Sequence, residues 1–227
     1  MLIAVGSDDP NCYNLISISR QILKPLLTHK DMRMHLLTTL LLAHLFADFP
    51  LQTNGLAKLK RESLTGVFLH VLIYVTITAC FLSYPFRYWG LVLGLGAAHF
   101  GIDALKIRYK QTFEPYYFVF DQCLHLLSIV VATYIALTYY HQPPQSIVSY
   151  EIMTLALGCA LLLAFMVFCW VWVNSLNEER VRNHFLLYWA KHQMLELEQR
   201  IGLVLIGFVF AGPTYQWLTN VLQGMLK

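Results

Sequence analysis

Long apolar stretches separated by short polar segments dominate the chain from residue 34 onward. A helix needs about 20 predominantly apolar residues to cross a hydrocarbon core of about 30 Å. A first stretch, over 34–52, is shorter than the others and contains Pro50 near its end. We therefore predict an all-α fold, a polytopic transmembrane bundle of about six helices, whose first helix either spans the membrane or is re-entrant. The five longer stretches cover 66–84, 89–107, 116–140, 151–174 and 200–219.

The polar segments divide the chain into five parts. The charged stretch 177–199 has apolar residues at helical spacing, which predicts an amphipathic helix on the cytoplasmic surface that a protein partner could bind. The first 33 residues lack the uninterrupted apolar core of a secretory signal, so we expect an N-terminal extension there, with an amphipathic helix as one alternative. The predicted segments are 1–33, the four-helix core 34–140, the fifth transmembrane helix 141–176, the cytoplasmic stretch 177–199, and the sixth helix with the tail 200–227.

Composition supports a membrane protein, because 57% of the residues are hydrophobic and only 13% are charged. That is too apolar for a soluble domain of this length. Basic residues cluster after predicted helices 1 and 3 and before helix 6, and the positive-inside rule makes these loops cytoplasmic. They line no single polar face, so nucleic-acid binding is not indicated. The five cysteines lack paired spacing, which argues against a disulfide framework.

Histidine and aspartate recur at matching positions in the first four predicted helices. Three of them, His44, Asp48 and His70, are each followed 55 residues later by the same residue type. This interval predicts a tandem repeat of two helical hairpins, helices 1–2 and helices 3–4, arranged in parallel. The matching residues of the second hairpin are His99, Asp103 and His125.

These polar residues form a candidate metal site. In H-x-x-x-D and D-x-x-x-H the two side chains are one helical turn apart and project from the same face. The predicted topology brings all of them to one depth near the cytoplasmic face, so we predict a metal site with ligands enough for two ions. Imidazole and carboxylate ligands without thiolate favour zinc first, with manganese and iron as alternatives. The candidate ligands are His44, Asp48, His70, His99, Asp103, Asp121 and His125.

A metal-dependent hydrolase of a lipid or lipid-linked substrate is the activity that we expect from such a site. Asp121 is the candidate catalytic base, because Gly66 takes its place in the first hairpin and Asp121 is thus the one extra carboxylate. Three polar residues, Gln52, Gln122 and Lys106, flank the cluster and could hold its ligands or bind an anionic group. The alternatives are a hydrogen-bonded or proton-relay network, ion transport, oxidative di-iron chemistry, and a non-enzymatic scaffold or effector in stress or defence.

The motifs around these residues resemble a bacterial family of uncharacterised membrane proteins, domain of unknown function 3307. The resemblance covers residues 34–137 and rests on LLLAHLFADFPLQT, FLHVLIY, AAHFGIDALK and FDQCLHLL, with a weaker match at LELEQRIGLVLIG over 195–207. It implies a multi-pass protein of the bacterial inner membrane and no established activity. It also makes residues 1–31 additional to the family's usual start. Membrane lipid is the expected contact, and a homo-oligomer remains open.

Overall fold

The computed structural model describes residues 33–108 and 115–225, in which all regular structure is helical apart from one isolated β-bridge. The N-terminal extension predicted over 1–33 lies, except for its last residue, outside the described part of the chain. The helices are α1 (33–48), α2 (Asn54–Glu62), α3 (Leu64–Phe81), α4 (Trp89–Arg108), α5 (Pro115–Tyr139), α6 (Tyr150–Ser175), α7 (Glu178–Arg182) and α8 (Phe185–Met225), with a 3₁₀ turn at Pro85–Tyr88.

Four of the described helices are long and apolar enough to cross a membrane, which indicates a membrane protein. They coincide with four of the stretches predicted from the sequence, so the all-α fold and these spans agree with expectation. The described part of α1 is about 24 Å long at 1.5 Å per residue, and the count of six spans stays a prediction. The last helix, α8, continues through residue 200, so the predicted boundary between 177–199 and 200–227 falls inside one helix. The four spans are Leu64–Phe81, Pro85–Ile107, Pro115–Tyr139 and Tyr150–Ser175.

α1 lies at the centre of the bundle. Every residue from 42 to 50 is buried. Leu36 and Leu40 pack in a cluster with apolar residues of α3, α4 and α5. Leu42 and Phe46 pack in a second cluster with apolar residues of α6 and α8. The two clusters meet on α1, so the polar residues of its last two turns are enclosed by other helices.

Two hydroxyl side chains and a glycine set the position of α2. Thr53 Oγ1 accepts a hydrogen bond from the N–H of Leu56 at 3.4 Å, and Ser63 Oγ accepts one from the N–H of Gly66 at 3.1 Å. Such N-caps satisfy N–H groups that have no partner inside the helix. A Cβ atom at Gly66 would lie 2.3 Å from the backbone of Leu59. Because residue 66 has no side chain, the short helix α2 can pack its backbone closely against the start of α3.

The opposite end of the bundle is closed by the α3–α4 and α5–α6 connections. The β-bridge pairs Leu82 with Ser146, and the Tyr88 hydroxyl donates a hydrogen bond to the carbonyl oxygen of Gln142 at 3.0 Å. The His and Asp residues lie at the other end, beside α2, where α1 and α4 finish and α3 and α5 begin.

Candidate metal centre

The structure brings all seven candidate ligands together, although they come from α1, α3, α4 and α5. Six of them are buried, and Asp121 is partly buried. They fall into three groups, and within each group the ligand atoms lie within 4.8 Å of one another. The groups are His44, His99 and His125; Asp48, His70 and His99; and Asp103, Asp121 and His125.

Asp48, His70 and His99 form a compact triangle of ligand atoms. The Nε2 atoms of the two histidines are 3.0 Å apart. Asp48 Oδ1 lies 3.0 Å from one of them and 3.3 Å from the other. Ligand atoms about 2.0–2.1 Å from a tetrahedral zinc ion lie about 3.3–3.4 Å from each other. The triangle therefore has nearly the size that a single zinc ion requires.

Asp103 lies next to this triangle. Its Oδ2 atom lies 3.3 Å from His99 Nε2 and 3.8 Å from His70 Nε2. The Asp103 side chain is fully buried, with 0% of its surface exposed. Asp103 thus lies beside two corners of the triangle and also belongs to the third group.

Several buried ring nitrogens of the described cluster have no hydrogen-bond partner. They are Nδ1 of His44, Nδ1 of His70 and both ring nitrogens of His125. A buried polar atom without a partner costs about 1–3 kcal/mol, and native proteins contain few of them. None of these atoms is a corner of the triangle, and hydrogen bonds within the described residues do not satisfy them.

Two lysines enter the cluster from different helices. Lys60 Nζ, from α2, lies 2.7 Å from Asp103 Oδ2 and donates a hydrogen bond to Gln52 Oε1 at 3.1 Å. Lys106 Nζ, from α4, lies 2.7 Å from Asp103 Oδ1 and 2.5 Å from Asp121 Oδ1. A cation thus already bridges the two carboxylates of the third group. A metal ion in that group would have to displace Lys106, so the triangle is the better candidate of these two groups.

Gln122 links two of the candidate ligands. Its Oε1 atom lies 3.3 Å from His44 Nε2, and its Nε2 donates a hydrogen bond to Asp48 Oδ2 at 3.4 Å. The expectation that Gln122 flanks the cluster agrees with these contacts. By holding one oxygen of Asp48, Gln122 helps to direct the other oxygen toward the triangle.

Two members of the cluster were missed in the sequence. Tyr74 is 1% exposed, and its ring centroid lies 4.6 Å from that of His99 and 6.0 Å from that of His44. Its position four residues after His70, on the same helical face, was the available signal. Lys60 is expected from the sequence as one of several basic residues beside the cluster, but no local pattern reveals that α2 folds back toward α4 and brings it to Asp103.

The two predicted hairpins make matching contacts. In each, the histidine of the second helix lies close to the aspartate of the first, at 3.0 Å in one and 3.6 Å in the other. In each, the histidine and aspartate one turn apart also lie near each other, at 3.9 Å and 3.3 Å. Such contacts are typical of a tandem repeat, and the repeat itself stays a prediction. The first two distances belong to His70–Asp48 and His125–Asp103, and the other two belong to His44–Asp48 and His99–Asp103.

The chain matches a known protein family over a region that contains the whole cluster. A family model described as Protein of unknown function (DUF3307) matches residues 36–155, which is more than half of the 227 residues. No curated protein and no solved structure matches the chain.

Proposed function

Because the chain belongs to the family described as Protein of unknown function (DUF3307), and the matched region contains the whole cluster, we propose a function from the chemistry of that cluster. The proposed function is that of a membrane-embedded, metal-dependent hydrolase that cleaves an ester or phosphoester of a lipid or lipid-linked substrate. The observation that carries it is the triangle of Asp48, His70 and His99, whose ligand atoms lie 3.0–3.3 Å apart.

The residues of the triangle would hold the ion, with Asp103 beside two of them. Zinc is the ion that this donor set fits first, with manganese and iron as alternatives. A divalent ion bound there would lower the pKa of water and polarise the bond to be cleaved. Gln122 and Tyr74 would keep the ligands in place through the contacts described above, since such supporting contacts orient metal ligands.

Asp121 is the proposed catalytic base. Its side chain is 13% exposed, compared with 5% for Asp48 and 0% for Asp103. It lies outside the triangle, and its Oδ2 accepts a hydrogen bond from Gln122 Nε2 at 3.3 Å. A general base must return its proton to solvent between turnovers, which a partly exposed carboxylate does more readily than a buried one. Asp121 meets this need better than the two other carboxylates, and its Oδ2 would take the proton from water.

A lipid substrate is supported by the surface next to Asp121. Phe120 and Tyr117, on α5, are 63% and 43% exposed, so apolar surface lies directly beside the proposed base. The basic residues of α2 support the cytoplasmic face of a bacterial inner membrane as the location. An acyl chain could therefore lie along α5 while its polar group enters the cluster.

Metal content and turnover of the purified protein in detergent test this proposal. We expect about one divalent ion per chain, and we expect His70→Gln to lose it while the exposed control His141→Gln keeps it. Asp121→Asn should lower kcat on a fluorogenic lipid ester or phosphoester by about 10²–10⁴-fold with the metal retained. Wild-type protein that binds no metal, or Asp121→Asn with full turnover, would contradict the proposal.

A structural role for the metal is the second candidate. Its support is that six of the seven residues are buried and that the triangle draws on three helices, so an ion there would tie α1, α3 and α4 together. Bound metal that raises thermal stability, without turnover on any ester or phosphoester, would favour this scaffold over the hydrolase.

A further inference from the structure

The two lysines of the cluster have more hydrogen-bond donors than their described contacts use. A lysine ammonium group has three N–H donors. Lys60 contacts two acceptors, on Asp103 and Gln52, and Lys106 contacts two, on Asp103 and Asp121. Among the described residues, each ammonium therefore has one N–H left for another acceptor. Both groups flank the same carboxylate, one at each of its oxygens.

The net charge of the cluster with a divalent ion bound would be balanced by an anion. Three aspartates and two lysines give a formal charge of −1, since −3 + 2 = −1, when all four histidines are counted as neutral. One divalent ion changes this to +1. An unbalanced charge inside a membrane protein is costly. An anionic ligand would balance the site once the ion is present.

We infer that the cluster binds the phosphoryl oxyanion of a phosphate ester, held by Lys60 and Lys106 beside the metal ion. This inference rests on the proposed function and narrows its substrate class from esters in general to phosphate esters. The ligand is recognised by its anionic oxygens, which a lipid headgroup and free inorganic phosphate share.

The number of contacts favours a phosphoryl group over a carboxylate. The ion, Lys60 and Lys106 offer three separate partners for anionic oxygens, from the triangle, α2 and α4. A phosphate monoester has three terminal oxygens and can reach all three, whereas a carboxylate has two. Lysine is also a common point-charge ligand of phosphate.

Burial argues that Lys60 and Lys106 are built into the site. Their side chains are 11% and 22% exposed, so most of each stem is enclosed. Lys58, two residues before Lys60 on the same short helix, is exposed. It provides a matched control that carries the same charge outside the cluster.

The test uses full-length protein loaded with cobalt in phosphatidylcholine nanodiscs and titrated with inorganic phosphate. The cobalt absorption spectrum reports ligands that arrive at the ion. We expect a saturable change for the wild type and for Lys58→Gln, and at least about tenfold weaker binding for Lys60→Gln and Lys106→Gln. The charge-preserving variants Lys60→Arg and Lys106→Arg should retain most of the affinity, which guards against a loss that comes from misfolding.

The outcomes separate the two proposals. Wild-type protein that binds no cobalt overturns the hydrolase and this inference with it. Cobalt bound at about one per chain with no response to phosphate, or equal affinity in Lys58→Gln, Lys60→Gln and Lys106→Gln, overturns the oxyanion site alone. Nanodiscs that contain phosphatidic acid distinguish the source: competition with inorganic phosphate identifies a lipid headgroup, and its absence identifies a water-soluble phosphate. Both of these last results support the site.

Discussion

Asp103 has more charged contacts than either of the other two aspartates in the cluster. It lies near two lysines and three histidines, and its side chain is fully buried. Removing one partner of a buried charged network is strongly destabilising, since the remaining charges lose their compensation. We therefore expect Asp103 to stabilise the fold even without a bound ion.

We expect Asp103→Asn to lower the free energy of unfolding by about 3–5 kcal/mol. The matched variant is Asp121→Asn, which removes a carboxylate with fewer charged contacts and a 13% exposed side chain, and its loss should be clearly smaller. Denaturant or thermal unfolding in detergent measures both variants. Equal losses would show that Asp103 is not the centre of the network.

Glu198, on α8, is a buried carboxyl group outside the cluster and before the predicted last span. It is 0% exposed, and neither of its oxygens has a hydrogen-bond partner. Burial disfavours the charged form and raises the pKa of Glu198 from 4.5 to about 7. As the pH rises from 4.5 to 7, the unfolded state loses its proton first, so the free energy of unfolding falls, and the loss is complete above the folded pKa.

Glu198→Gln should therefore stabilise the protein relative to wild type at a pH well above 7, and less so below 4.5. The difference between the two pH values should be about 1–3 kcal/mol in the free energy of unfolding. Glu196→Gln is the control, because that side chain is 56% exposed, and its effect should depend little on pH. Denaturant unfolding of both proteins across this pH range measures the effect. If the difference in the free energy of unfolding between Glu198→Gln and wild type does not change with pH, the buried carboxyl group does not titrate there.

At the level of single residues, the sequence predicted most members of the cluster and missed others. The sequence revealed His44, Asp48 and their repeated counterparts, because polar side chains one turn apart in an apolar helix are energetically costly and therefore indicate a site. Tyr74 was hidden, since an aromatic residue in an apolar helix is ordinary. Glu198 was hidden because it sits in a charged stretch, where a carboxylate is expected to face water.

Among the elements, α2 shows why the two predicted hairpins differ. Where the second hairpin has Asp121, the first has Gly66, and the backbone of Leu59 fills the position of the missing side chain. That contact holds α2 in place and lets Lys60 reach Asp103 from outside the helical hairpins. The length of the apolar stretches predicted the long helices well, but it could not predict α2, whose position depends on a contact between backbones.

Gly66→Ala should move α2 away from α3 and destabilise the protein by about 1–3 kcal/mol, because a Cβ atom cannot fit against the backbone there. Gly158→Ala is the matched control: it lies within α6, and a Cβ atom there would meet nothing within 4 Å. That control should be neutral or stabilise by up to about 1 kcal/mol. Thermal unfolding measures both, and equal stabilities would mean that α2 is not held by this contact. Phosphate binding in Gly66→Ala should weaken as it does in Lys60→Gln.

For the whole molecule, the cluster is where four helices meet, so an ion would act as a link across the bundle. Ligand that binds only the folded state stabilises it by about 2.7 kcal/mol at 100 times its Kd. The site was easier to predict from the sequence than the packing of the helices. The repeated spacing of the His and Asp residues was enough to place their side chains at one end of the bundle. The order of the helices around α1 was not predictable, since its apolar residues face partners on several sides.

We expect the Tm of wild-type protein in detergent to fall by several degrees when a chelator removes the metal, and to return when zinc is added. His70→Gln should show little response to either treatment, because it lacks one corner of the triangle. Thermal unfolding followed by circular dichroism measures this. A wild-type Tm that ignores both chelator and zinc would argue against an ion in the bundle.

The enclosure of α1 has a consequence for biosynthesis. This helix leaves the ribosome before the partners that cover it, and His44 and Asp48 on its last turns are only 2% and 6% exposed in the finished bundle. Hydrophobic matching to lipid alone cannot hold such a helix, since unpaired polar groups are costly in hydrocarbon. We therefore expect α1 to wait at the membrane surface or in the insertion machinery until α3 to α6 have been made, and to enter the bundle late although it is translated before them.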